Sequence, residues 1–103
     1  MFESHRSGPV LALVGELTIY HAAEARDLLA AELAPDPPAE LDLSGVEELD
    51  TAGAQVLAWA KREARAKGAA LAFTRHSPAV LEVIDQLNLA RTFGDTLLIA
   101  PLA

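Results

Sequence analysis

The chain has 103 residues, with 15 acidic against 8 basic side chains and a formal net charge of −7. That length suits one domain with a single core, expected over residues 1–103. The acidic balance argues against a nucleic-acid partner, since phosphate binding needs clustered Lys and Arg. The sequence has no Cys, which excludes a disulfide framework, a thiol nucleophile and a thiolate metal site.

Hydrophobic residues make up 51% of the chain but aromatics only 5%, so Leu, Val, Ile and Ala must build the core. No apolar run approaches the roughly eighteen residues of a membrane span, and the N-terminal stretch lacks the pattern of a signal peptide. A cytoplasmic domain without direct membrane insertion is the expectation.

Residues 1–8 carry little pattern and fit a frayed start or a short edge strand. Val10 to Val14 is an apolar run closed by Gly15, a central strand that Glu16 to Tyr20 either continues or leaves. His21 to Ala34 has helical periodicity, with Ala22, Ala25, Leu28, Leu29 and Leu33 on one stripe. The run Pro35-Asp36-Pro37-Pro38 stops that helix, because proline neither donates to it nor tolerates an α conformation just before it.

The centre of the chain is Glu40 to Gly68. Leu41 and Leu43 alternate with Asp42 and Ser44, the period of a strand with one dry face. A bend follows, and then a helix opening at Asp50-Thr51. Asp50 stands at the N-cap, where its carboxylate can accept unpaired N–H groups of the first turn. Thr51 places a hydroxyl at the positive end of the helix dipole. Lys61, Arg62, Arg65 and Lys67 gather toward the other end as a solvated face, and Gly68 supplies the stop.

Ala69 to Thr74 is the next strand. Ser77 caps a further helix with Pro78 in its first position, its apolar stripe being Val80, Leu81, Ile84 and Leu87. Asn88 to Gly94 is a turn region, and Thr96 to Ala100 gives a last strand. Strands alternating with amphipathic helices point to an α/β sandwich with a mixed sheet and helices on one face.

Four segments together resemble one known family, the STAS domain of anti-sigma-factor antagonists and sulphate-transporter tails. They are Gly15-Glu16-Leu17-Thr18, Leu41-Asp42-Leu43-Ser44 with Val46, Asp50-Thr51-Ala52-Gly53, and Ser77-Pro78-Ala79-Val80. Their order and spacing match across nearly the whole chain. The resemblance implies a four- or five-stranded mixed sheet flanked by helices on one side. In the bacterial antagonists the residue after the Asp is a Ser or Thr that a partner anti-sigma kinase phosphorylates, weakening their complex; Thr51 holds that position. Ala52 replaces a frequent second hydroxyl residue, and Ala54 a usual Leu. The family also implies an alternative, a subunit bracing the ATPase of a lipid-transporting ABC complex, where an Asp-Thr-x-Gly turn also occurs; outside both of these, a docking accessory of a two-component or chemotaxis pathway is a further possibility.

Candidate partner-binding residues are Thr18, Tyr20 and His21 after the first central strand, with Asp50, Thr51, Ala52, Gln55 and Trp59 on the central helix. Two of them have structural readings as well: Trp59 as packing against the helix that begins at Ser77, and Tyr20 as a staple at the start of its helix. His5, His21 and His76 share no metal-ligand spacing. Gly-rich phosphate loops and Ser-His-Asp signatures are missing, and Ser44 and Ser77 are accounted for by a bend and a cap. Neither catalysis, metal nor cofactor is expected.

Overall fold

In the computed structural model, which describes residues 2–94, the sheet has four strands: β1 (Phe2–Ser7), β2 (Val10–Leu17), β3 (Glu40–Leu49) and β4 (Ala72–Thr74). They lie in the order β1-β2-β3-β4, the first pair antiparallel and the other two parallel. Helix α1 (Ala22–Leu33) links β2 to β3, and α2 (Thr51–Ala66) links β3 to β4. Both crossovers step the same way across the sheet. With the usual right-handed connection, both helices fall on one face. Then come α3 (Pro78–Gln86) and a single turn, α4 (Ala90–Phe93). The expected strand over Thr96–Ala100 lies outside the described residues.

The dry face is read directly from β2. Leu11, Leu13 and Leu17 are fully buried while Val10, Ala12, Val14 and Glu16 alternate with them on the other side. Against these Leu side chains pack Leu29 and Leu33 of α1, Leu57, Ala60 and Ala64 of α2, and Val80 and Ile84 of α3. The core is indeed aliphatic. Its aromatic residues are Phe2 and a T-shaped pair, Phe73 with Phe93, at a centroid distance of 5.0 Å.

Several sequence expectations shift. Of the two alternatives after Gly15, β2 takes continuation, running on to Leu17, whereas β3 continues to Leu49 where a bend was expected after Ser44. The pairing slips twice, between Ala12 and Val14 and again between Gly15 and Glu16, so extra residues are absorbed as bulges rather than as a turn. Gly15, at φ +115, takes a conformation that a side chain would resist. Ser44 stays in the strand, its N–H and hydroxyl both donating to Asp42 Oδ1.

β4 is shorter than Ala69–Thr74 because the preceding residues terminate α2. Gly68 N–H donates to Arg65 O and Ala69 N–H to Ala64 O, with Gly68 left-handed at φ +79. Asn88, at φ +56, ends α3 in the same way, its N–H donating to Asp85 O and Leu89 N–H to Ile84 O. Leu87 is therefore the C-cap and 42% exposed rather than part of the buried stripe, and Leu89 packs on the core instead. What reads as a turn over 88–94 contains α4, which delivers Phe93 to Phe73. Lys61 is not simply solvated: its ammonium donates to Leu71 O at 2.7 Å and lies over the Phe73 ring.

Ser77 caps α3 as the sequence indicates, its Oγ accepting from Val80 N–H at 3.2 Å, and it is buried. Ser77→Ala removes that acceptor and strands an N–H away from water. A loss of about 1–2 kcal/mol is expected in urea unfolding; an unmoved midpoint would show that the cap contributes nothing.

Candidate functional site

The mouth of α2 is fixed by Asp50. Its backbone is extended, its Oδ1 accepts from Gly53 N–H at 2.9 Å, and its carbonyl accepts from Ala54 N–H. The other carboxylate oxygen, Oδ2, accepts from Ile19 N–H at 2.9 Å, across 31 positions of sequence. One side chain thus caps the helix and ties down the loop between β2 and α1. That second role is not visible in the sequence, since nothing local links Ile19 to Asp50.

Gly53 sits so close to the end of β2 that a Cβ there would collide with the Leu17 carbonyl oxygen. Ala54 is buried beside it, consistent with a helix seated close on its sheet. On this locked turn Thr51 is the first helical residue, and it is exposed.

The other predicted residues divide between two grooves. Thr18, Tyr20 and Asp50 line one of them, between the ends of β2 and β3 and helix α3. Ala52, Gln55 and Trp59 line the other, between α1 and α2. His21 is the N-cap residue of α1, half-buried, with no side-chain cap bond; its N–H donates to Thr18 O.

Two structural readings are corrected. Trp59 packs toward α1, not α3: the Arg26 guanidinium lies 4.7 Å from its ring centroid, a cation–π contact. Tyr20 is no staple, being 90% exposed, and Ile19 beside it is 68% exposed. Thr18, by contrast, is only 9% exposed, and its Oγ1 has no hydrogen-bond partner among the described residues.

Sequence reading missed Ile19, Arg26 and the acidic lining of the first groove. That lining joins Glu16, Glu47 and Glu48 from two strands to Glu82 from α3. Only the first three were within reach of a local charge count; Glu82 arrives through the tertiary fold.

A mixed sheet with a capped helix mouth carrying an exposed threonine between two grooves defines a small α/β domain. A family model described as "Mlab, STAS domain" matches residues 1–99. The chain belongs to the STAS domain family.

Among solved structures, it is similar to an anti-sigma factor antagonist from Mycobacterium paratuberculosis, with a TM-score of 0.76 and 24% identity over 96% of this chain and 86% of the other. It is also similar to the phosphorylated form of the Bacillus cell fate determinant SpoIIAA, at TM-score 0.63 and 15% identity, covering 94% and 92% of the two chains. The unphosphorylated form of SpoIIAA gives 0.66 and 15%, covering 97% and 89%. At these identities the likeness is one of fold. No curated protein sequence matches the chain. No helix among the described residues is long and apolar enough to cross a membrane.

Proposed function

We propose that this domain is a non-catalytic regulatory module that docks on a partner protein through the β2–α1 loop and the mouth of α2, and that phosphorylation of Thr51 switches the docking. The partner class that fits best is an anti-sigma kinase. The observation that carries this reading is the exposure of Thr51 on a turn otherwise locked by Asp50 and Gly53. Support also comes from fold relatives named as anti-sigma factor antagonists, the Mycobacterium paratuberculosis protein and SpoIIAA, the second of which is also known in a phosphorylated form.

Phosphate would add about 1.5 to 2 negative charges and three acceptor oxygens at Thr51. First-turn N–H groups and the helix dipole favour an anion there, so the fold tolerates it. A partner surface closed over the same turn would have to make room for the group and strip its hydration, which is costly for a dianion. The scaffold persists while the complex is lost.

Incubation with the cognate kinase and ATP, followed by mass spectrometry, tests the switch. Phosphate is expected on Thr51 and is expected to be absent from Thr51→Ala; modification elsewhere, or none, would remove it. The Asp-Thr-x-Gly form of the turn, here Asp50-Thr51-Ala52-Gly53, favours a second reading. In it the domain braces the ATPase of a lipid-transporting ABC complex and Thr51 is an interface contact. Co-purification with an ATPase whose activity falls when this chain is removed would decide for it.

A further inference from the structure

Among the described residues, the groove between the ends of β2 and β3 and helix α3 is lined by five carboxylates, Glu16, Glu47, Glu48, Asp50 and Glu82, and by no Lys, Arg or His. Asp50 is occupied by two backbone N–H groups, and among the described residues Glu82 accepts only from Gln86. Among the described residues no ion pair reaches any of the five. Like charges gathered without counter-charges hold a negative potential over the groove and work against the free domain.

Two further features of the same groove are out of place in a finished surface. Thr18 contributes a hydroxyl that is buried and unpartnered among the described residues, where buried hydroxyls ordinarily have a partner. Tyr20 stands at the rim almost fully exposed, with Ile19 next to it in the chain. The first and last of these specify what would complete them: cations for the carboxylates and an apolar contact for Tyr20, while the Thr18 hydroxyl lies in the wall beneath, closed to solvent.

We infer that this groove seats a cationic segment of the partner protein, with Arg or Lys side chains on Glu47, Glu48 and Glu82 and an apolar side chain against Tyr20. This rests on the reading that the domain docks at the α2 mouth, and it supplies the chemistry of the docked surface. Thr51 does not line the groove. A cationic segment alone therefore binds independently of Thr51, and only a whole partner, covering both groove and helix mouth, senses the phosphate.

The test is an NMR titration of the ¹⁵N-labelled domain with a short amphipathic Arg/Leu peptide, against the same peptide with Glu for Arg. The Arg peptide is expected to shift the amides of Thr18, Tyr20, Glu47 and Glu82. Its Kd is expected to rise about tenfold in Glu47→Lys/Glu82→Lys, with a smaller rise in the Gln pair, and to rise with salt. In Thr51→Glu it should not rise, because the added charge has the sign of the groove beside it and takes away none of the groove's carboxylates. Shifts spread over the acidic surface, equal binding of the Glu peptide, or indifference to the reversal would overturn the inference. So would concentration-dependent shifts of the same amides without peptide, which would assign the groove to a second copy of this chain. If the Arg peptide behaves as expected while a whole partner ignores Thr51→Glu, the groove stands and the phosphorylation switch falls; the reverse pattern rejects the groove alone.

Discussion

Gly53→Ala is expected to destabilise the domain by about 3 kcal/mol, the upper part of the range for overpacking a close contact. The added methyl would meet the Leu17 carbonyl oxygen and would stand 2.8 Å from Leu49 Cδ1 and 2.9 Å from the Leu17 carbonyl carbon. A flexible side chain could move aside, but most of this obstacle is backbone. Leu17 is held by its pairing with Leu49 in the adjacent strand. The helix mouth must lift instead, and lifting it draws Asp50 away from Ile19. Urea unfolding should show a lower midpoint at an unchanged slope. An unaltered midpoint would mean that α2 is not seated on the end of β2.

Asp50→Ala is the second large effect, expected at about 2 kcal/mol because one truncation removes a helix cap and a long-range tie together. The lost bonds are those from Gly53 N–H and Ile19 N–H, both at 2.9 Å. Asn, an equally good cap, should restore most of the stability. Amide exchange separates the two roles. Ile19 N–H should exchange faster in Asp50→Ala than in wild type, and a rate that does not change would show that the loop is positioned without Asp50.

These two residues also mark how far the sequence could be read. The cap at Asp50 was legible because its signal is local: a short acid before a helical pattern, with the chain free to take an extended conformation. The tie to Ile19 was not, since a bond across the sheet leaves no trace in spacing. Leu41 and Leu43 identify β3, but the bend expected at Ser44 is a bulge inside a strand that runs on to Leu49, because a small polar residue suits either. Leu87 fitted the stripe of α3 by period alone and lost its place when Asn88 turned left-handed one residue later. The division of the candidate residues between two grooves follows from α3 folding back beside β3, a tertiary event that brings Glu82 to Glu47. Periodicity located the helix mouth; only the packed chain shows what lies on either side of it.

Because Thr51 stands exposed on a turn that other residues hold in place, charge added there should leave the fold intact and act on the complex. Calorimetric titration of the proposed partner, an anti-sigma kinase, into wild type and Thr51→Glu, with thermal unfolding of both, measures the two quantities side by side. The expected result is a stability equal to wild type or higher by about 0.3–1 kcal/mol, from the favourable dipole, with an affinity at least about tenfold weaker, a difference of roughly 1.4 kcal/mol. Full affinity in Thr51→Glu, or a domain that unfolds because of it, would contradict the account.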